Sequence, residues 1–182
     1  MIKKTDLTNA ARLLTCTCIV VATWFCMIGS ALAASNDQPC AGTQETRQLD
    51  YWLGNWTMGS GADKSTSTVT LSLDKCMFVE HWENARGHVT EKMFGYSPED
   101  RNWYGMFADN QGRVHVFVDG KVSPESAEFR GPSKGENGQP VLNRLKITRL
   151  AADKLEELWQ KSTDNGNTWT TAYRAEYSRA NP

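Results

Sequence analysis

After residue 48, the chain consists of short runs in which apolar and polar residues alternate. In residues 65–73 the apolar side chains Val69, Leu71 and Leu73 occupy every second position, which is typical of a β-strand with one buried face. Turn-forming residues separate these runs, as in residues 97–100, where proline takes the second position of a turn. The pattern predicts about ten strands, and the helical piece it predicts is a short turn within residues 48–53.

The predicted strands follow one another through connections that are mostly of hairpin length. Such connections favour an antiparallel up-and-down sheet over a sandwich, which usually needs long crossovers. An open sheet of this kind would leave two edges unpaired, and closure into a barrel is the most complete way to remove them. We therefore expect an all-β fold, an up-and-down barrel of about ten strands with a short helical turn before the first strand.

The first 33 residues have a different character. Basic side chains precede residues 13–33, which carry no charge, and Ala31-Leu32-Ala33 has the small-x-small form of a cleavage site. We expect a signal peptide and an exported, periplasmic or secreted protein without stable membrane insertion after cleavage. The alternative is an uncleaved anchor, because about 21 apolar residues can span a bilayer. The expected parts are a signal peptide at 1–33, a polar extension at 34–48 and a barrel domain at 49–182.

Cysteine content and charge indicate which covalent crosslink and which class of partner to expect. Cys16, Cys18 and Cys26 belong to the leader, which leaves Cys40 and Cys76. In an oxidising compartment such a pair usually forms a disulfide, although two separate thiols are the alternative. The formal net charge of the chain is −1, and no run of Lys or Arg follows the leader. Electrostatics therefore give no reason to expect a nucleic acid partner.

A short motif near the C-terminus predicts a specific hairpin turn. Residues 162–169 fit the pattern S-x-D-x-G-x-x-W, which is similar to the Asp-box of sialidase propeller blades. Asp164 can accept backbone N–H bonds across the turn, Gly166 can adopt a positive φ, and Trp169 can pack beneath it. The motif occurs here once, and we interpret it as structural, with no implication of glycosidase activity.

A second motif, Gly54-Asn55-Trp56, opens the first predicted strand. It resembles the G-x-W signature of lipocalins and their calycin relatives, in which the Trp closes one end of the barrel and packs on a basic side chain from the last strand. Arg174 and Arg179 are the candidates for that partner. Such a stack would bury a large ring and also accommodate the guanidinium.

The order of these motifs resembles one family along most of the chain. The opening block 49–56, then residues 80–82, then residues 96–98 with Trp103, and finally the Asp-box with Tyr177 are similar to domain of unknown function 1579. Members of that family are mostly secreted bacterial proteins with a lipocalin-like or nitrobindin-like barrel. The resemblance implies a calycin-like barrel and an exported location, and it carries no activity.

Small barrels bind ligands among the inward side chains of their strands. His115 alternates with Phe117, and His81 alternates with Glu83, so each pair shares a face of its strand. We expect an exported barrel that binds an unidentified hydrophobic or planar small molecule, although ordinary core or surface histidines would give the same pattern. The candidate ligand-binding residues are His81, Glu83, Trp103, His115, Phe117 and Trp159.

Other functions have weaker support in the sequence. His81, Glu83 and His115 could form a zinc-like set. Nitrobindin holds haem through a His near its C-terminal end, but this chain has no His after His115, so we expect no cofactor. No nucleophile elbow, phosphate loop or triad order is present, which favours a binding protein over an enzyme. The alternatives are a ligand-free interaction module of the cell envelope and a weak hydrolase or isomerase that uses His81 or His115.

Overall fold

The computed structural model describes residue 40 and residues 43–180. The predicted signal peptide lies outside the described residues, as does most of the polar extension before residue 43. Three short 3-10 helices are present, at Glu45–Arg47, Asp50–Trp52 and Gly61–Asp63. Within the described residues, no helix is long and apolar enough to cross a membrane.

The remainder of the described chain is a single antiparallel sheet of eleven strands. These strands are β1 (Gly54–Met58), β2 (Ser65–Ser72), β3 (Met77–Asn84), β4 (Val89–Ser97), β5 (Asn102–Asp109), β6 (Val114–Phe117), β7 (Asp119–Val122), β8 (Ser126–Lys134), β9 (Pro140–Ala151), β10 (Lys154–Ser162) and β11 (Thr170–Arg179). Each strand pairs with the next one in sequence except β6 and β7, which form the two edges of the sheet, and β1 also pairs with β11, so the sheet curls into a nearly closed barrel. The predicted all-β barrel with a helical turn before its first strand is confirmed.

The strand count exceeds the expected ten because one extended segment divides between two partners. β6 pairs with β5 and β7 pairs with β8, and these two edge strands are separated only by Val118. The Val118 N–H donates to the Arg130 carbonyl across the seam, at 2.8 Å. Gly131 allows this approach, because a Cβ at that position would collide with the Val116 carbonyl. The segment therefore closes most of the gap that an open sheet would leave.

Residues 43–53 cover one end of the barrel, which we call the closed end. Leu49 and Trp52 are buried there, and the Trp52 ring lies 5.6 Å from Phe94. Trp56 in β1 is also buried, and its Nε1 donates to the Trp52 carbonyl at 2.8 Å. Because the 3-10 helix at Asp50–Trp52 delivers both an apolar ring and an acceptor, it closes this end without leaving the indole unpaired.

The stack predicted from the G-x-W motif is present, and Arg179 supplies the basic side chain. Its guanidinium carbon lies 4.2 Å from the centroid of the Trp56 ring, and Nη1 donates to the Leu53 carbonyl at 3.0 Å. Gly54 has a φ of 115°, and a Cβ there would meet the same guanidinium. Arg174, the other candidate, instead forms an exposed ion pair with Glu156. Trp56 and Arg179 therefore close this end of the barrel together.

The predicted disulfide between Cys40 and Cys76 is present, and it ties the N-terminal segment to the turn between β2 and β3. The Thr46 hydroxyl donates to the Cys40 carbonyl at 2.6 Å, and the Arg47 guanidinium donates to the Lys75 carbonyl at 2.7 Å. The crosslink and both hydrogen bonds hold residues 43–53 against the closed end.

The Asp-box sequence forms the hairpin turn between β10 and β11. One oxygen of Asp164 accepts the Thr168 N–H at 2.9 Å, and the other accepts the Thr168 hydroxyl at 2.6 Å. Gly166 has a φ of 91°. The Arg144 guanidinium lies over the Trp169 ring at 3.9 Å. All of these contacts are within or next to the turn, as a structural role requires.

Candidate functional site

The opposite end of the barrel, which we call the open end, contains a cavity of about 460 Å³. It lies near the turns that join β3 to β4, β5 to β6 and β10 to β11. Aromatic side chains form its walls, ionic and phenolic groups form its floor, and basic groups stand at its rim. The cavity falls in the size range of small-molecule sites, which is about 300–1,000 Å³.

The walls combine flat rings from strands on opposite sides of the barrel. Phe107 meets the Trp159 ring edge-on at 5.1 Å, and His115 meets the same ring edge-on at 5.0 Å. Trp159 is fixed further, because its Nε1 donates to the buried Asn143 side chain at 3.1 Å. Trp82 completes the walls and packs edge-on against His88 at 5.6 Å. A planar apolar molecule would find ring surfaces on both sides.

The floor carries a buried ion cluster of one lysine and two glutamates. Lys92 Nζ lies 2.7 and 2.6 Å from the two carboxylate oxygens of Glu157 and 2.8 Å from Glu80. The Ser67 hydroxyl also donates to Glu80, at 2.5 Å. All three charged side chains are at least 95% buried, so each depends on the others for the interactions that water would otherwise provide.

The cluster shifts the pKa values of its members. Burial disfavours the charged lysine, but the carboxylates of Glu157 and Glu80 outweigh burial and raise the pKa of Lys92. Burial and the nearby Glu80 charge raise the pKa of Glu157, against the opposing effect of Lys92. Lys92 therefore stays protonated, while two carboxylates compete for one cation.

Two tyrosines of β11 lie beside this floor. Their hydroxyls are 3.2 Å apart, and the Tyr173 hydroxyl also contacts the Met58 sulfur at 3.5 Å. Burial and the Glu157 charge raise the pKa of Tyr173 to about 12 and the pKa of Tyr177 well above its usual value. Both phenols therefore stay protonated and present O–H groups rather than phenolates.

The rim is built around Asp109, whose side chain joins a histidine and an arginine. His88 Nε2 lies 3.3 Å from Asp109, and Arg113 Nε donates to the same carboxylate at 2.5 Å. Burial opposes ionisation of Asp109, but hydrogen bonds from Arg113 and His88 lower its pKa to about 2. Lys161 also stands at the rim, and the structure gives it no carboxylate partner among the described residues.

Some polar atoms in the walls have no hydrogen-bond partner in the part of the chain that the structure describes. They include Trp82 Nε1 and His115 Nδ1, and both of these residues line the cavity. Burial, together with the charges of Lys161 and Arg113, lowers the pKa of His115, so its ring is neutral at pH 7. An unpaired buried polar group costs about 1–3 kcal/mol, so these two atoms lower the contribution of the cavity walls to the stability of the fold.

The structure brings together only part of the predicted ligand-binding set. His115 and Trp159 line the cavity. Phe117 is buried next to the cavity, 5.5 Å from the Trp159 ring, whereas Trp103 is buried elsewhere in the core, against Phe78 and Tyr96. His81 and Glu83 do not line the cavity.

His81 and Glu83 are exposed on the outer face of β3, which corrects the expectation that they face inward. The inward residues of that strand are Phe78, Glu80 and Trp82. His81 Nδ1 lies 2.6 Å from the Glu91 carboxylate on the neighbouring strand. That hydrogen bond is the main cause of the raised pKa of His81.

The same geometry bears on the metal and enzyme alternatives. His81 and Glu83 lie on the outside and His115 on the inside, so these three side chains do not form a common ligand set. No group of three metal-binding side chains occurs among the described residues. An acid–base pair would need His81 or His115 within reach of Glu80 or Glu83, and His81 instead bonds to Glu91.

The residues of the cavity floor and the lysine of the rim were not among the candidates predicted from sequence. Glu157 alternates with Leu155 and Trp159, and Lys92 alternates with Thr90 and Phe94. A charged residue at an inward position between buried neighbours is the signal that could have identified both. Lys161 follows Trp159 at the same spacing.

Comparisons with known proteins identify no family. No protein-family model matches the chain, and no curated protein matches it. Among solved structures, pallilysin of Treponema pallidum has a TM-score of 0.35 and 8% identity, over 78% of this chain and 98% of that chain. EF1p2_mFAP2b bound to DFHBI has a TM-score of 0.31 and 11% identity, over 74% of this chain and 98% of that chain. Both similarities are weak, and the barrel assignment rests on the strand pairing of this chain.

Proposed function

We propose that this protein is an exported barrel that binds a small planar or hydrophobic molecule in the open-end cavity. The observation that carries the proposal is an unfilled interior with ring walls and unpaired polar atoms. A barrel of this size can fill its interior with side chains, and this one leaves a cavity at the open end. Ligand sites typically combine a mostly apolar lining with a few polar groups that fix orientation.

Export is supported by the disulfide and by the leader sequence. Crosslinks between cysteines persist in oxidising compartments and are rare in the cytosol, and Cys40 and Cys76 form one here. The apolar residues 13–33 and the small-x-small site supply the expected targeting signal. The motif resemblance to domain of unknown function 1579 belongs to the same proposal, since members of that family are mostly secreted.

A specific feature favours a second candidate, an interaction module. Val114, Val116 and Val118 are 58%, 50% and 48% exposed on the outer face of the seam. Contiguous exposed apolar side chains often mark contact sites for other proteins. The two functions differ in where an apolar probe would bind, inside the open end or outside on the seam.

The test is a fluorescence titration with N-phenyl-1-naphthylamine, a neutral aromatic probe that brightens in apolar surroundings. Ala172 lines the cavity, so A172W would fill part of its volume, whereas Thr171 is an exposed neighbour outside the lining. We expect saturable binding to the wild-type barrel, weakened at least about tenfold by A172W, which is about 1.4 kcal/mol, and unchanged by T171W. Circular dichroism would confirm that both variants fold.

Two outcomes would overturn the proposal. One is absence of saturable binding to the folded wild-type protein. The other is equal binding by wild type and A172W, which would place the probe outside the cavity and favour the interaction module.

A further inference from the structure

Two residues that line the cavity, Trp82 and Lys161, present hydrogen-bond donors without a partner among the described residues. Trp82 is 8% exposed, lines the cavity and holds an unpaired Nε1, which can only donate. Lys161 at the rim also can only donate, and it has no carboxylate partner among the described residues. Among the charged residues of the lining, Lys161 is therefore the one without an oppositely charged partner in the described part of the chain, and the role of the neutral His115 Nδ1 depends on its tautomer.

The carboxylates at the floor and at the rim are already paired with cations. Both oxygens of Glu157 accept from Lys92, at 2.7 and 2.6 Å. Glu80 accepts from Ser67 at 2.5 Å and pairs with Lys92 at 2.8 Å. At the rim, one oxygen of Asp109 accepts the backbone N–H groups of Gln111 and Arg113, while the other takes the Arg113 guanidinium. A ligand with donor groups would have to break these bonds.

The rim also has a net positive character. Asp109 offsets the charge of Arg113, which leaves Lys161 as an uncompensated cation beside the cavity. Lys161 follows Trp159 by two positions in β10, so it extends the face of the strand that carries the aromatic wall. An acidic group at the rim would meet Lys161 while an aromatic body lay against Trp159.

We infer that the cavity selects aromatic acids over neutral aromatic molecules of the same shape. The flat body would lie between Trp82 and Trp159, and the acidic group would pair with Lys161 at the rim. This inference rests on the proposed function and specifies the ligand class for the same cavity.

The test compares two probes that share one ring system. N-phenyl-1-naphthylamine is neutral, and 8-anilinonaphthalene-1-sulfonate is the same molecule with a sulfonate. We expect wild-type protein to bind the anionic probe about tenfold more tightly, a difference of about 1.4 kcal/mol. The preference should shrink with added salt, because screening weakens ion pairs that water can reach.

Two matched variants would test whether Lys161 causes the preference for the anionic probe. K161Q should bring the affinities for the two probes close together by weakening the anionic probe alone. K154Q removes an exposed lysine from the start of the same strand, outside the cavity lining, and should retain the wild-type ratio. A172W should weaken both probes.

The inference is overturned if wild type binds both probes equally, or if K161Q retains the preference. In either case binding of the neutral probe would still support the proposed function. If neither probe binds folded wild-type protein, the proposed function fails and the inference fails with it.

Discussion

The two ends of this barrel use the same kinds of residue in opposite ways. At the closed end, the Trp56 ring is buried, its Nε1 has a backbone acceptor, and Arg179 covers its face. At the open end, the Trp82 ring borders empty volume, its Nε1 has no partner among the described residues, and Lys161 stands uncompensated at the rim. A tryptophan and a cation thus pack on each other and close the barrel at one end, whereas at the other end the tryptophan and the cation border a cavity and lack partners among the described residues.

This contrast separates stability from binding within one fold. Groups whose packing and hydrogen bonds are complete contribute to the free energy of unfolding, and they gain little interaction energy from a ligand. Groups left partly unpaired contribute less to folding and retain interaction energy for a ligand. The closed end should therefore dominate the response of stability to mutation, and the open end should dominate the response of binding.

The sharpest test of the contrast is the same substitution at both ends. We expect W56A to lower the free energy of unfolding by about 5 kcal/mol and W82A by about 3 kcal/mol, the two extremes of the usual range for such truncations. Trp82 faces the cavity on one side, so its removal forfeits fewer contacts. Urea unfolding followed by circular dichroism would measure both values, and a larger loss for W82A would contradict the division.

Removing the disulfide tests how firmly the closed end is held. Cys40 and Cys76 are 36 residues apart, and closure of such a loop stabilises the folded state by about 4 kcal/mol in the chain-entropy account. We expect the double variant C40A/C76A to lose about that much in urea unfolding, while its affinity for N-phenyl-1-naphthylamine stays at the wild-type value. Lost probe binding by the folded variant would show that the two ends are coupled.

The ion cluster at the cavity floor should be sensitive to both substitution and pH. K92M leaves Glu80 and Glu157 without their cation, and unpairing a buried charge costs about 3 kcal/mol or more. Burial raises the pKa of Glu157, so the folded state holds a proton more tightly than the unfolded state, and stability falls as pH rises past 4.5. Without Lys92 that decline should steepen.

Unfolding of K92M and wild type should accordingly be compared at about pH 5 and about pH 8. We expect the destabilisation to be larger at the higher pH, where Glu157 must ionise in the absence of Lys92. A destabilisation that did not change with pH would mean that Glu157 takes up no proton when the lysine is lost.

The smallest expected effect distinguishes the two arginines of the last strand. R179M loses the stack on Trp56 and the hydrogen bond to Leu53, which together are worth about 1–2 kcal/mol. R174M loses an exposed ion pair with Glu156, worth about 0.5 kcal/mol. Thermal unfolding of the two variants would rank them, and equal effects would contradict a structural role for the Arg179 stack.

The closed end was largely predictable from sequence because its features depend on short motifs or on residue types rather than on pairing between distant strands. Three features can each be recognised from the residues alone: the Gly54-Trp56 motif, the short helical turn and the two cysteines. The strand pattern likewise predicted the barrel, although the split of residues 114–122 between β6 and β7 depends on a single crossing at Val118 that alternation does not reveal.

The open end was harder to predict because it depends on register between distant strands. Residues 77–84 have apolar side chains on both faces, so alternation alone fits either orientation, and His81 was expected inside. Pairing with β4 decides the matter, since it sets Glu80 opposite Lys92 and His81 opposite Glu91. Lys92 and Glu157 are 65 residues apart, so only the closed barrel brings them together.

A crystal structure of the protein with N-phenyl-1-naphthylamine would test the central claim most directly. We expect electron density for the probe inside the open end, with its rings between Trp82 and Trp159 and with the closed end unchanged. Density confined to the outer valines at the seam, with an unoccupied interior, would contradict it.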